Sequence, residues 1–199
     1  MTNLLLKAGV VALLAVSAAQ AGESALSSAK PGSYKVESYH TQVGFSLSHF
    51  GFTNYSGLFS GATGTLKLDP AKLGTSKLDI SIPVDSVTTT VSKLTDELKG
   101  DKWFDTAKFP QATFVSTQVL PAAGGATVTG NLTLHGITKP VVFHVRFIGA
   151  GVNPLDKAYT VGFEATGTIK RSDFGVTTYL PAVGDEVQLT IAGAFEQQA

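Results

Sequence analysis

The sequence predicts an all-β protein of eight antiparallel strands with one short helix between strands four and five. Two observations carry the prediction. Eight segments alternate apolar and polar residues with period two, the signature of strands with one greasy and one wet face. The connections carry turn residues at short spacing: Asp69-Pro70, Gly124-Gly125, His135-Gly136, Asn153-Pro154 and Pro181. Eight such strands close as a barrel or stack as a sandwich.

The elements follow in order. Lys7, the apolar run Ala8–Ala19 and Ala19-Gln20-Ala21 form a basic, apolar and cleavage-site series, so residues 1–21 read as a cleaved signal peptide. The apolar core is short of the roughly 20 residues that cross a bilayer. Residues 22–32 are small and polar and read as a flexible lead-in, leaving residues 33–199 as one barrel domain. The segment Tyr34–Tyr39, joined to the next run, makes the first strand, where Val43, Phe45, Leu47 and His49 share a face. Ala62, Gly64, Leu66 and Leu68 mark a second strand, and Leu78, Ile80, Ile82 and Val84 a third. Strands around Phe114, Val128 and Phe143 follow. Tyr159, Val161, Phe163, Ala165, Gly167 and Ile169 form one face of the next, and Val187, Leu189, Ile191, Gly193 and Phe195 one face of the last. Between Thr88 and Leu98 the period changes. Val91, Leu94 and Leu98 recur at three and four residues, Thr88–Thr90 supply cap candidates and Gly100 a stop, which predicts a helix. Glycines inside strands mark bends or close approaches and leave room inside a small barrel.

Composition excludes several function classes. There are 15 basic and 15 acidic residues, so nothing attracts nucleic acid or anionic surfaces. The absence of cysteine removes disulfides and thiolate chemistry. His40, His49, His135 and His144 are scattered without metal spacing, although His135 and His144 could oppose each other across a hairpin. His49 reads as a hydrogen-bonded barrel histidine. No nucleophile elbow, phosphate loop or dinucleotide glycine pattern occurs, and no cofactor is called for. Asp101 and Asp105 flank Trp103-Phe104 and are read as helix caps rather than a catalytic pair. No enzymatic activity is expected. What remains is aromatic: 12 Phe, 5 Tyr and one Trp. Their clustering at one end, with Phe50, Phe52, Tyr55 and Phe59 in a glycine-rich loop, favours a cavity over a filled core.

Five blocks, in order along the chain, resemble the YceI-like proteins: Tyr39–Gly51, Asn54–Gly61, Leu98–Asp105 running on to Phe109–Phe114, Val128–Val141, and Lys170-Arg171-Ser172-Asp173-Phe174-Gly175. The resemblance implies an extended, lipocalin-like eight-stranded barrel. It also implies a long apolar pocket for a polyisoprenoid or fatty-acyl lipid and a periplasmic location, with no reaction and no cofactor. Stable membrane insertion is not expected, and a homodimer is left open. The chain departs from the pattern where members often carry His at the position of Glu97, and Asp-Phe-Phe-Asp in place of Lys102-Trp103-Phe104-Asp105. The helix and the Trp103 loop would cover the opening. Candidate ligand contacts are Phe45, Leu47, His49, Phe52, Trp103, Phe104, Phe114, Phe143, Phe163 and Phe174. Arg171 is a candidate polar contact directed by Asp173; a simple ion pair between these adjacent residues that pins the strand end explains them slightly better.

Overall fold

The computed structural model describes residues 26–198, so the signal-peptide reading and residues 22–25 lie outside the described residues. Ten strands form one antiparallel sheet: β1 (Gly32–Val36), β2 (Gln42–His49), β3 (Thr53–Phe59), β4 (Thr63–Leu68), β5 (Lys77–Pro83), β6 (Gln111–Ala122), β7 (Gly125–Leu134), β8 (Ile137–Val152), β9 (Tyr159–Lys170) and β10 (Glu186–Gln197). Eight of them close a barrel in the order β1-β4-β5-β6-β7-β8-β9-β10, with β10 returning to β1. Closure leaves no free sheet edge along those strands. β2 and β3 are the two additional strands, a hairpin that continues the barrel wall beside the first half of β10.

The first predicted strand is therefore two strands, because β10 changes partner along its length. Its C-terminal end pairs with β1, Val36 opposite Phe195, and its middle with β2, Gln42 opposite Ala192. At the handover, the Glu37 N–H donates to Ala194 O at 2.9 Å and the Ala194 N–H donates to Thr41 Oγ1 at 3.0 Å. A threonine hydroxyl thus replaces a missing ladder partner and keeps the backbone satisfied. Thr53–Phe59, read as a loop, is a strand; with the first strand also divided, the helix lies between β5 and β6.

The helix, α1 (Ser92–Lys99), is N-capped by Val91 with no side-chain bond. The threonines act differently from the expected cap. The Thr89 N–H donates to Thr95 Oγ1 at 2.9 Å, and the two hydroxyls are 3.0 Å apart. Asp101 and Asp105 follow α1 at its C-terminal end, where the orphan groups are carbonyls and a carboxylate cannot cap. The start of the described chain is packed rather than loose. Leu26 and Ala29 are buried, and the Tyr34 hydroxyl donates to Lys30 O at 2.5 Å.

The alternation predicted for β9 and β10 is the observed one: Val161, Ile169, Val187, Leu189 and Phe195 face inward and are buried. In β6 a bulge between Ser116 and Gln118 switches the inward face, so Phe114 and Ser116 point in below it and Val119 above it. No helix among the described residues is long and apolar enough to cross a membrane.

Candidate functional site

Inward side chains do not fill the barrel. Two cavities of about 200 and 120 Å³ lie end to end and share Val43, Ile82, Leu132 and Leu189 as a common wall. The larger is bounded by Leu66, Ile80, Val128, Val145, Ile191 and Phe195, and closed at its end by Leu26 and Leu73. The smaller is closed by Leu98, Trp103 and Phe104, from α1 and the loop after it. No polar atom reaches the surface of either cavity.

Glycines and phenylalanines together set this space. A Cβ on Gly57 would stand 2.4 Å from Phe45 Cζ, one on Gly130 2.3 Å from Phe114 Cζ, and one on Gly167 2.7 Å from Phe143 Cδ1. Each ring therefore lies against the wall, over a bare backbone, instead of standing across the lumen. Phe114 and Phe143 also meet edge to face at 5.3 Å, and Phe45 reaches Phe59 at 5.5 Å.

The candidate contacts divide clearly. Phe114, Phe143 and Phe163 line the larger cavity, and Phe45, Leu47, Trp103 and Phe104 the smaller. His49 and Phe52 do not, because β2 ends at His49 and the turn carries both side chains out of the barrel. Phe174 is buried in the core yet lines neither cavity. The aliphatic wall of the larger cavity lies outside the aromatic candidate set, although the inward alternation of β4, β5 and β10 marks it in the sequence.

Arg171 borders the smaller cavity and is 4% exposed. Its guanidinium is committed to the backbone: Nε donates to Gly184 O, Nη1 to Val176 O and Nη2 to Val183 O, each at 2.8 Å. The guanidinium carbon stands 5.4 Å from the Trp103 ring centre. Asp173 is exposed and neither directs Arg171 nor pairs with it, because the 3₁₀ turn Arg171–Phe174 sends the two side chains opposite ways. The acidic partner of the turn is Asp185. Its carboxylate accepts the Ser172 N–H at 2.9 Å and the Ser172 hydroxyl at 2.8 Å. Burial alone would raise the Asp185 carboxyl. The two Ser172 bonds, then Arg171 and Lys170, hold it below its ordinary value. Burial lowers the Arg171 guanidinium, and Asp185 opposes that shift. Arg171 thus clamps the Val176–Gly184 loop over the barrel end and is not a free cation for a head group.

The histidines do not converge. His144 lies opposite Thr127, whereas His135 sits in the β7–β8 turn with Nδ1 3.0 Å from Phe174 O. No group of three potential metal ligands occurs among the described residues.

Three comparisons bear on this architecture. A UPF0312 protein of Yersinia enterocolitica is 37% identical over 167 residues, covering 83% of this chain and 86% of its own. The crystal structure of Burkholderia cenocepacia BcnA superposes with a TM-score of 0.69 at 31% identity, covering 77% of this chain and 95% of BcnA. A polyisoprenoid binding domain from Saccharophagus degradans gives a TM-score of 0.60 over 83% of this chain and 98% of its own; at 16% identity the likeness is one of fold. The family model for the YceI-like domain matches residues 34–195, nearly the whole barrel, and the chain belongs to that family.

Proposed function

We propose that this protein is exported to the periplasm and holds one long apolar chain, polyisoprenoid or fatty-acyl, inside its barrel, for transport, storage or stress response. The observation that carries the reading is the pair of apolar cavities placed end to end. An empty apolar void forfeits contacts on every side, so its lining gains when a chain fills it. A group the size of water needs about 10–15 Å³ of such space, so the two cavities take a chain of roughly twenty carbons once their common wall parts. Each buried methylene contributes about 0.8 kcal/mol, and ten give micromolar affinity before ordering costs. The fold shared with a polyisoprenoid binding domain supports the same ligand class. A wall without exposed polar atoms suits holding a chain and offers no acid or base for a reaction.

Calorimetric titration of delipidated protein with saturated acids of increasing length tests this. Affinity should rise with each methylene and level off near twenty carbons. Equal, weak binding at all lengths would contradict it.

A further inference from the structure

Two loops meet at the end of the barrel that α1 and Trp103 close. One is the β2–β3 turn, His49–Phe52; the other is Phe174–Gly184. The Phe50 N–H donates to Ala182 O, and the Gly184 N–H to Ser48 O, both at 2.8 Å. The tied loops present Phe50, 49% exposed, Phe52, 88% exposed, and Tyr179, 60% exposed. Phe50 and Tyr179 hold left-handed backbone, φ 53° and 60°, which bulky side chains seldom adopt. At Phe50 the tight β2–β3 turn uses this conformation, Phe50 and Gly51 (φ 71°) closing it as His135 and Gly136 close β7–β8. Neither Phe50 nor Tyr179 lines a cavity, so both rings are left to the outer surface.

The two loops carry no acidic, lysine or arginine side chain of their own, although exposed Lys102 lies beside them, its carbonyl accepting the Thr178 hydroxyl. From Ser38 to Leu66 the sequence has no Asp, Glu, Lys or Arg, and Phe174–Gly184 has none. Phe109–Thr138 in the barrel wall is uncharged as well, so what marks the tip is that both of its loops lack charge where they carry exposed aromatic rings. The tip is continuous with the lumen. Tyr179 packs edge to face on Trp103 at 6.1 Å, Trp103 closes the smaller cavity, and Leu47, two residues before His49, lines it.

We propose that this uncharged aromatic tip docks on the surface of a neutral, zwitterionic lipid bilayer, and that the apolar chain passes between bilayer and lumen there. The proposal rests on the lumen reading above. A chain that fills an apolar lumen is stored in bilayers, so the barrel must meet one to exchange it. Aromatic side chains prefer the bilayer interface, where the body of the ring leaves water. Absence of charge selects a neutral lipid face over a polyanion or an acidic protein. The residues between His49 and Asn54 form a short protruding turn, a shape suited to shallow insertion rather than to a broad protein interface.

Phosphatidylcholine vesicles loaded with a pyrene-labelled fatty acid test it with the mature protein and with the variant Phe50→Asn/Phe52→Ser. Asparagine tolerates left-handed backbone, so the turn should be kept, and melting temperature checks the fold. The wild type should float with the vesicles and take up the chain at a rate proportional to vesicle concentration. The variant should lose flotation and transfer at least tenfold more slowly, while binding the same chain from dilute solution as tightly as the wild type. Equal transfer by both proteins, or transfer independent of vesicle concentration, would overturn the proposal and leave the lumen reading intact. So would a concentration-dependent dimer abolished by the two substitutions, which would assign the tip to a second copy. Failure of the wild type to take up the chain even from solution would overturn the lumen reading and the docking with it.

Discussion

The Trp103 indole N–H donates to Glu97 Oε1 at 3.2 Å, and these two residues stand at positions where the chain departs from the YceI-like pattern given above. The departures are thus one coupled change. Glu97 fixes the ring that closes the smaller cavity, and the ring in turn faces Arg171. Glu97→Gln should keep the bond and cost little. Trp103→Phe should lose it and widen the smaller cavity, destabilising by about 1–1.5 kcal/mol. A double-mutant cycle of Glu97→Ala with Trp103→Phe, each of which removes the bond, should give a coupling of about 1 kcal/mol by urea unfolding. Additivity would show that the pair is not coupled.

Gly167→Val should damage the lumen. The new side chain would displace the Phe143 ring, which has the backbone of β8 behind it, so the ring would turn inward. Overpacking of this kind costs about 1–3 kcal/mol. Capacity for the longest chains should fall more than affinity for short ones. Adding Phe143→Ala should restore capacity, and calorimetry on the chain series checks both.

Arg171→Met should destabilise by about 3 kcal/mol or more, because three loop carbonyls lose their donor in a buried place. Asp173→Ala should change the melting temperature by little, since its carboxylate is exposed and makes no pair. Equal losses at the two positions would restore the sequence-based pairing and contradict the loop-clamp role.

Acid should loosen the barrel at two corners. Burial raises the Glu37 carboxyl, but the His40 side chain and the Tyr39 and His40 N–H groups outweigh it and lower the carboxyl below 4.5; Asp185 lies below 3.8 for the reasons given above. A carboxyl lowered in the folded state stabilises fully above its unfolded value, and the contribution disappears as pH falls through the folded value. Glu196 acts in the opposite sense. Burial raises it first, then Asp156 and Glu37, so its share is present at low pH and lost as pH rises through its raised value. The melting temperature should fall between about pH 4.5 and 3, and it should fall less in Glu37→Gln/Asp185→Asn. Parallel curves for wild type and variant would contradict this assignment.

Much of the barrel was legible because each long strand carries its own alternation. β3 was not. Its inward position opposite Phe45 is Gly57, and the apolar surface there is supplied by the Phe45 ring from the neighbouring strand. Asn54, Ser56 and Gly57 consequently read as loop. The partners of Arg171 were hidden for another reason. Adjacent charges suggested a pair, whereas the guanidinium is held by carbonyls 5 to 13 residues away, and backbone acceptors leave no mark in composition. Among the candidate contacts, the phenylalanines inside strands lie in the lumen. His49, Phe52, Asp173 and Phe174 sit at element ends, where a change of direction carries a side chain off the strand face.

The most direct test of the central claim is mass spectrometry of the intact protein, purified under non-denaturing conditions from its native compartment and then extracted with organic solvent. The account predicts one apolar adduct per barrel, released by the solvent and identifiable as a prenyl or acyl lipid. A clean unliganded mass, with no rise in melting temperature on adding either chain type, would contradict it.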